Sequence, residues 1–375
     1  MARRGAGEGS IDHRSDGRWR VRLTVSPDGR RREWYAQTKA QAVETLRIER
    51  ERLSLGVVGT TGRLTVGQYL NGWLESVTGD VKPSTEAHYR LVVTRHLVPA
   101  LGRIPLERLT AAHVDAFLRS ERGQVADRTR HHHRAVLRRA LNRAVRQHLI
   151  ARNPAAEADP ITIRDARPAC FLTPDQAAQV LEAVATDRLA ALYTVALALG
   201  LRQGEALGLQ WHDVDFTHRR LTVRRQLQRI GGESRFVPLK SARSELERTR
   251  VLPMPAVVVE ALQVHRARQG HELGTVPLPT GLVFCRRDGS PLINSNVTKG
   301  FQTLLERSGL PRMRFHDLRH SCASLLIAQG VAPRTVMEIL GHSSISTTMN
   351  IYAHVGAALL EESSAAMDRL LGRRN

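Results

Sequence analysis

The sequence predicts a multidomain protein that is mainly α-helical and carries small β-sheets. At 375 residues the chain is longer than one hydrophobic core usually supports, so two or three domains are expected. Its apolar content of 42% is typical of globular proteins and not of disordered ones. Apolar residues recur mostly at helical spacing, and strand-like patterns are confined to residues 18–36, 219–253 and 282–284.

The charge is the strongest bulk signal. The net charge is +20 and the sequence pI is near 11.2, and such an excess usually faces a polyanion, most often nucleic acid. A basic surface without a specific partner is the alternative. Because only four of the 56 basic residues are lysines, a lysine in a functional position carries information. The four are Lys39, Lys82, Lys240 and Lys299.

Cysteine usage and hydropathy disfavour secreted and membrane proteins. Cys170, Cys285 and Cys322 stand far apart without CxxC spacing, so neither a disulfide framework nor a cysteine-based zinc module is expected. The longest apolar run, Leu189–Leu201, has 13 residues, fewer than the roughly 20 that a membrane span needs; it predicts a buried helix. The N-terminus lacks the apolar stretch of a secretory signal. We therefore expect a cytoplasmic protein with no membrane partner.

Residues 1–60 predict a three-stranded sheet plus a helix. Trp19, Val21, Leu23 and Val25 alternate with arginines, as in a half-buried strand. A Pro-Asp-Gly turn leads to the next strand, and Thr38 and Gln41 form a capping box for a helix that runs to about Leu53. The strand's other face is arginine-rich, which favours DNA contact over a merely solvated surface. The arginines are Arg18, Arg20 and Arg22.

A helical domain is predicted over residues 64–158, after the linker-like stretch Ser54–Gly62. Thr65 and Gln68 form its first capping box. Residues 129–149 carry an apolar stripe opposite a basic face that includes Arg138 and Arg139, both expected to contact DNA. The adjacent histidines His131–His133 point about 100° apart on a helix and cannot converge on one ion. The apolar stripe consists of Val136, Leu137, Leu141, Val145 and Leu149.

After a second linker-like stretch, Arg152–Ala169, a mixed α+β domain is predicted over residues 171–375. Thr173 as N-cap, Pro174 and Gln176 begin its first helix. Five short stretches of this domain carry reactive side chains. They contribute Arg202 with Glu205, Lys240, His316 with Arg319, His342, and Tyr352.

In this order and spacing, the five stretches resemble the tyrosine recombinase (phage integrase) family, which includes integrases of phages and mobile elements. Each stretch alone has an ordinary structural explanation: an R-x-x-E ion pair, a helix-capping histidine, a core tyrosine. Their joint occurrence is specific. The resemblance implies an arm-type DNA-binding domain over residues 1–60, a helical SAM-like core-binding domain over 64–158, and the catalytic domain over 171–375.

The residue types suit transfer of a DNA phosphodiester to a protein hydroxyl. Arg202 and Arg319 supply planar forks for the nonbridging oxygens of the phosphorane. Tyr352 is the expected nucleophile and His316 the base near neutral pH. Because arginine cannot give up a proton, Lys240 is the expected general acid for the leaving oxygen.

Two further residues complete the predicted site. His342 is expected to hydrogen-bond the phosphate, at a position where many relatives carry His or Trp. Glu205 is expected to orient Arg202.

The resemblance implies a site-specific recombinase that leaves a 3′-phosphotyrosyl link and a free 5′-hydroxyl. Because that link retains the bond energy, no cofactor is expected. The implied partners are double-stranded DNA at attachment sites, a homotetramer in synapsis, and accessory DNA-bending or directionality factors. The C-terminal residues 356–375 carry an apolar helical stripe that docks on a neighbouring subunit or folds back on its own domain; both remain open.

Three alternatives remain at this stage. A type IB topoisomerase-like enzyme would share the chemistry and relax supercoils without joining two sites. A catalytically silent regulator would bind DNA and form no covalent adduct. A zinc hydrolase would use the HDLRH stretch, His316–His320, as a variant of HExxH. Arg319 disfavours the hydrolase, because a guanidinium on the ligand face repels a divalent cation and offers it no lone pair.

Overall fold

The described residues of the computed structural model are 9–24, 31–54, 64–163, 170–239 and 249–341. The chain divides into two compact units, Met1–Ala166 and Arg167–Asn375. The predicted fold class is confirmed: helices predominate and the sheets are small and antiparallel. No helix among the described residues is long and apolar enough to cross a membrane.

The first unit begins with a small sheet backed by a helix. The sheet has the order β1-β2-β3, and both pairings are antiparallel. Val21 and Leu23 are buried where helix α1 packs on the central strand. Gln41 and Thr38 exchange the two predicted cap hydrogen bonds at the start of α1. The elements are β1 (Gly9–His13), β2 (Trp19–Thr24), β3 (Arg31–Ala36) and α1 (Lys39–Ser54).

Residues 64–163 form a helical module with its own hydrophobic core. The predicted capping box of Thr65 and Gln68 is present, and the stripe residues Val136, Leu137 and Leu141 are buried. The helices are α2 (Val66–Val77), α3 (Pro83–Val92), α4 (Val98–Leu101), α5 (Ala111–Ser120), α6 (Asp127–Arg146) and α7 (Pro154–Glu157), with a π-turn at Val93–Leu97 and a 3₁₀ turn at Leu106–Arg108.

The π-turn joins α3 to α4 without breaking the helical path. Pro99 lies just beyond it, and a proline ring displaces the carbonyl four residues before it. A π-turn absorbs that displacement with one wider turn.

The predicted linker at 152–169 is wrong in its first part, because α7 forms there. Asn153 caps this short helix by accepting from the Ala155 backbone N–H at 2.9 Å. Its amide also donates to the Arg138 carbonyl and to the Asn142 side chain, at 2.9 and 2.7 Å. These contacts of one cap residue tie the segment to α6, and composition alone does not reveal them.

The second unit contains seven helices and five strands among its described residues. The strands form a β4-β5-β8 sheet and a β6-β7 hairpin. The predicted capping box of Thr173 and Gln176 is present. The helices are α8 (Pro174–Val184), α9 (Ala190–Leu199), α10 (Gln203–Leu207), α11 (Ala256–Leu273), α12 (Asn294–Arg307), α13 (Phe315–Ala328) and α14 (Pro333–Leu340). The strands are β4 (Val214–Asp215), β5 (Arg220–Val223), β6 (Arg225–Ile230), β7 (Glu233–Pro238) and β8 (Arg250–Pro253), with a 3₁₀ turn at Trp211–Asp213.

The strand predicted at 282–284 is reduced to a single bridge between Leu282 and Gln210. Val283 and Phe284 are fully buried. An apolar run of three residues therefore signalled burial and not strand pairing.

Helix α9 is the buried centre of this unit, as the apolar run 189–201 predicts. It packs against α8, α11 and α13, and it ends at Gly200, whose φ of 61° is left-handed. A Cβ at Gly200 would lie 2.1 Å from Leu340 Cδ2. Glycine is required here for both reasons, since it permits the turn and lets the end of α14 approach.

Candidate active site

Arg319 is the most buried cation of the candidate site. It lies on α13 with 2% of its surface exposed, and its Nη1 donates to the Gly200 carbonyl at 2.6 Å. Its Nη2 is buried and has no hydrogen-bond partner among the described residues. One side of the guanidinium is thus fixed by the end of α9, and the other carries a donor that no described residue accepts from.

Arg202 lies immediately before α10. Its Nη1 donates to Glu205 at 2.7 Å, and its backbone N–H donates to the same carboxylate at 3.1 Å. Its Nη2 donates to the Gly341 carbonyl at 3.0 Å. About 24% of the side chain remains exposed. The guanidinium is therefore held in place and still accessible from one side.

Glu205 is almost fully buried and binds two arginines. Its second oxygen accepts from Arg250 Nη2 at 3.0 Å, in addition to the contact with Arg202. Burial alone would raise the pKa of Glu205, but Arg250 and Arg202 outweigh burial and hold this pKa below its ordinary value. The carboxylate is thus ionised at neutral pH.

Arg250, on β8, is a site residue that the sequence analysis missed. It stands in an arginine-rich stretch, 243–250, where residue type does not separate one arginine from the next. The sequence feature that could have marked Arg250 is its position at the start of a strand pattern.

Among the described residues, the site holds more positive than negative charge. Arg202, Arg250 and Arg319 face one buried carboxylate, that of Glu205. Burial first, and then the charge of Arg202, lowers the pKa of Arg319 to about 9. A buried cation with too few negative neighbours is unfavourable unless an anion joins it. The arrangement is therefore suited to bind an anion.

Two helix-terminal glycines orient the two predicted arginines. Gly200 ends α9 and Gly341 ends α14, both with left-handed backbones, and their carbonyls accept from Arg319 and Arg202 respectively. Helix C-terminal carbonyls carry partial negative charge and favour cations. A Cβ at Gly341 would lie 2.2 Å from Arg250 Nη1, so the end of α14 also approaches the third arginine.

His316 lies in the first turn of α13 and is exposed on one side. Even so, burial of the rest of the ring lowers its pKa to about 4, and the charges of His320, Arg319 and Arg202 add to this effect in that order. The imidazole is therefore neutral near pH 7 and has a lone pair for a proton, but this pKa makes it a weaker base than the histidine titrating near neutral pH that the sequence predicts.

The aspartate of the HDLRH stretch has a structural role. Asp317 is buried and accepts from Arg314 Nη2 and from the Arg314 backbone N–H, both at 2.7 Å. His316 and His320 lie close together, with ring centroids 4.9 Å apart. Because Asp317 caps the helix and neutralises Arg314, it is not free to act as the base of a zinc hydrolase.

Three predicted site residues, Lys240, His342 and Tyr352, lie outside the described residues. Lys240 directly follows the buried Leu239, and His342 directly follows Gly341, whose carbonyl binds Arg202. Tyr193, the other tyrosine of the catalytic half, is 1% exposed, and burial raises its pKa above the ordinary value.

The predicted DNA-contact arginines of the N-terminal sheet are paired with acids. Arg20 and Arg22 bind Asp12 at 2.8 and 3.0 Å, and Arg18 binds Asp16 at 2.8 Å. Arg18 lies just before β2, so it does not belong to the strand that carries Arg20 and Arg22. Two aspartates therefore neutralise part of this face.

The predicted DNA-contact arginines of α6 are exposed. Arg138 and Arg139 both face solvent, and the Arg139 guanidinium lies 5.7 Å from the centre of the Tyr89 ring. Their neighbours Arg134 and Arg143 instead donate to backbone carbonyls, those of Ala158 and Ser76. The basic face thus contains both solvent-exposed and internally bound arginines.

Comparison with known proteins identifies two matching regions. Residues 170–358 match the Phage integrase family, and residues 65–120 match the N-terminal SAM-like domain of phage integrases. An integrase of Saccharopolyspora erythraea is 28% identical over an alignment of 416 positions and covers 93% of each chain. A tyrosine recombinase XerC-like protein of Caldanaerobacter subterraneus subsp. tengcongensis is 37% identical over 188 residues, 47% of this chain and 48% of that relative.

Solved structures with the same fold include two integrases bound to DNA. The Tn1549 transposon integrase in complex with a circular intermediate DNA is 22% identical, covers 80% of this chain and 99% of its own, and superposes with a TM-score of 0.67. A lambda integrase tetramer bound to a Holliday junction is 17% identical, covers 89% and 95% of the two chains, and has a TM-score of 0.57.

Proposed function

The chain belongs to the phage integrase family and is a tyrosine-type site-specific DNA recombinase, and from that premise we propose that Arg202 and Arg319 hold the DNA phosphate that Tyr352 attacks. The observation that carries this proposal is the buried Nη2 donor of Arg319, which has no hydrogen-bond partner among the described residues. The site also has surplus positive charge, because three guanidinium groups face one carboxylate among the described residues. A phosphate oxygen supplies both the missing acceptor and the missing negative charge.

The remaining roles follow from the chemistry of phosphoryl transfer. The Tyr352 oxygen forms a bond to phosphorus while the bond to the 5′-oxygen breaks, leaving a 3′-phosphotyrosyl link. His316, neutral at pH 7, takes the phenolic proton, and Lys240 gives a proton to the departing 5′-oxygen. His342 donates a hydrogen bond to the phosphate. A 5′-hydroxyl of the partner strand reverses the same steps.

Glu205 and Arg250 support this centre without touching the DNA. Glu205 binds the Arg202 guanidinium with one oxygen and the Arg202 backbone N–H with the other, and Arg250 holds Glu205 in turn. Such support keeps a binding group within the narrow geometry that catalysis needs. Positive charge fixed in advance stabilises the transition state without reorganisation during the reaction.

The substrate is double-stranded DNA at attachment sites, and the reaction integrates or excises a mobile element. Structures of relatives are described as a tetramer on a Holliday junction and as a complex with a circular intermediate, and we extend DNA binding and assembly as a homotetramer to this chain. The proposed modules are residues 1–60 on arm sites and residues 64–158 and 171–375 around the core site. Accessory bending factors and a cytoplasmic location complete the proposal.

The test uses DNA that carries the native site, with a nick that traps the intermediate. Wild-type protein should give a protein–DNA adduct on a denaturing gel, and Tyr352→Phe should give none while binding the same DNA. An adduct formed by the phenylalanine variant contradicts the assignment of the nucleophile. A two-site recombination assay then separates strand exchange from simple relaxation, which alone would indicate a topoisomerase-like enzyme.

A further inference from the structure

We propose that the helical module, residues 64–163, carries a site for one divalent transition-metal ion, such as Zn²⁺, formed by His96, Glu121 and His133. His133 Nδ1 lies 2.8 Å from Glu121 Oε2, and His96 Nδ1 lies 3.0 Å from Glu121 Oε1. The three potential ligand atoms lie within 4.8 Å of one another. Two histidines and one carboxylate form the donor set of several zinc and iron(II) sites.

The three residues come from separate elements that the fold brings together. His96 lies on the π-turn between α3 and α4, Glu121 directly follows α5, and His133 lies on α6. Of the three adjacent histidines at 131–133 only His133 is buried, and the other two face solvent. Adjacent histidines do not converge, as the sequence predicts, but one of them meets ligands from elsewhere. Wider turns of this kind are frequent at functional sites.

Burial makes the cluster unlike a surface group of polar residues. The His133 side chain is 3% exposed and that of Glu121 is 9% exposed, whereas His96 is 32% exposed. The two imidazoles lie against each other, with ring centroids 4.1 Å apart. The cluster therefore has a closed interior and one open side, formed by His96, through which an ion can enter.

The competing structure is a metal-free triad in which both rings donate hydrogen bonds to Glu121. The present separations of 2.8 to 3.0 Å are hydrogen-bond lengths. Metal–ligand bonds of about 2.0–2.1 Å need ligand atoms about 3.3 Å apart, so each histidine–glutamate separation widens by roughly 0.4 Å on binding. Each neutral ring then carries its proton on Nε2 and offers Nδ1 to the ion. His96, which is partly exposed, can make the part of this movement that separates it from Glu121.

An ion at this position would join α5, α6 and the π-turn. Helix α6 also carries the exposed Arg138 and Arg139, so the ion would hold a DNA-facing helix against the rest of the module. Because metal binds the folded site and not the unfolded chain, it raises the temperature of unfolding. This inference does not depend on the proposed recombination chemistry.

The experiment titrates the full chain, stripped of metal by a chelator, with Co²⁺ as a visible probe and with Zn²⁺ as its competitor. We expect one equivalent of Co²⁺ to bind, with the visible bands of a four-coordinate ion, and Zn²⁺ to displace it. His96→Ala and Glu121→Gln should each weaken binding by at least about tenfold. The unfolding temperature of the wild type should rise with Zn²⁺, and that of the two variants should not.

The matched control is the double variant His131→Ala/His132→Ala, which removes the two exposed histidines of the same helix. It should bind Co²⁺ like the wild type. Absence of saturable one-to-one binding in the folded wild type overturns the proposal and leaves the hydrogen-bonded triad. Loss of binding in the control, or unchanged binding in His96→Ala and Glu121→Gln, overturns the proposal as well. Circular dichroism of each metal-free variant checks that it folds.

Discussion

At the scale of single residues, the candidate site depends on what each guanidinium binds inside the protein. Arg319 uses one nitrogen on the Gly200 carbonyl, and Arg202 uses two on Glu205 and the Gly341 carbonyl. Each guanidinium is therefore held in a fixed orientation before any substrate binds. An arginine so held loses less side-chain entropy when it binds a phosphate than a freely rotating one.

Arg250 is predicted to be a positioning residue that acts through Glu205. We expect Arg250→Gln to slow adduct formation by about 10- to 100-fold, the usual effect of removing a supporting partner. Binding of the uncleaved DNA should change much less. The measurement is the single-turnover rate of adduct formation on the nicked substrate, beside the affinity for the same DNA.

The matched control for Arg250→Gln is Arg225→Gln. Arg225 binds the buried Asp213 at 2.9 Å, and Arg224 also binds that carboxylate. The control therefore removes one of two arginines from another buried acid of the same unit. Equal losses of rate in both variants would mean that Arg250 only stabilises the fold.

The pH dependence of His316 follows from its lowered pKa. The folded-state value of about 4 lies below the unfolded value near 6.5, so the unfolded chain binds the proton more readily. The folded state is therefore penalised as pH falls from about 6.5 towards 4, and no penalty from this residue remains above pH 7.

We expect the His316 ring to titrate far below 6.5 in an NMR titration of the DNA-free protein. Addition of DNA should raise the midpoint, because a phosphate favours the protonated ring. His316→Gln identifies the resonance and should slow adduct formation on the nicked DNA at pH 7. A midpoint near 6.5 in the free protein would contradict the burial of this ring beside His320 and near the charges of Arg319 and Arg202.

At the scale of elements, capping residues were the most predictable features. Thr65 with Gln68 and Thr173 with Gln176 each begin a helix at the predicted residue, because these cap hydrogen bonds are local in sequence. The buried helix α9 was equally clear from its continuous apolar run. For the candidate site, residue type and order predicted Arg202, Glu205, His316 and Arg319, and in the structure these groups influence one another's pKa values.

Features that depend on distant contacts were not predictable. Arg250 reaches Glu205 across 45 positions of the chain, and no local pattern marks it. The metal-site candidate joins His96 to Glu121 across 25 positions, and only folding brings these residues together. The same holds for α7, whose cap residue Asn153 binds α6.

The turn after α9 provides a test of the link between fold and site. Gly200→Ala places a Cβ in a left-handed backbone and 2.1 Å from Leu340 Cδ2. Gly274→Ala is the control, because Gly274 has a φ of 66° and nothing within 4 Å of its Cβ position. We expect the control to lose about 1 kcal/mol of unfolding free energy and Gly200→Ala to lose at least about 3 kcal/mol.

Adduct formation should separate the same two variants. Gly200→Ala displaces the carbonyl that holds Arg319, so the rate should fall even at temperatures where the protein stays folded. Gly274→Ala should keep the wild-type rate. Equal stability and equal rates in the two variants would show that the end of α14 does not press on this turn.

At the scale of the whole molecule, the net charge of +20 is not spread evenly over binding surfaces. Asp12 pairs with Arg20 and Arg22 of the N-terminal sheet, and backbone carbonyls accept hydrogen bonds from some arginines of α6. The arginines available to DNA are therefore fewer than the composition suggests. A count of basic residues overestimates the number of phosphate contacts.

This distinction predicts the salt dependence of DNA binding. Each phosphate contact contributes about 0.9 to the slope of log affinity against log salt concentration. If Arg138 and Arg139 each bind a phosphate, Arg138→Ser/Arg139→Ser should lower the magnitude of the slope by about 2. Arg134→Ser should leave it unchanged, because Arg134 already donates to the Ala158 carbonyl at 2.5 Å. The measurement is fluorescence anisotropy of labelled DNA with full-length protein at several salt concentrations.

The slope is more informative than the affinity itself for deciding which arginines bind DNA. A variant that merely loosens α6 weakens binding at every salt concentration but keeps the slope, because no phosphate contact is removed. A variant that removes two contacts releases fewer counterions, and its curve therefore approaches that of the wild type as salt increases. An unchanged slope in Arg138→Ser/Arg139→Ser, or an equal change in Arg134→Ser, would mean that the exposed face of α6 does not lie on the DNA backbone.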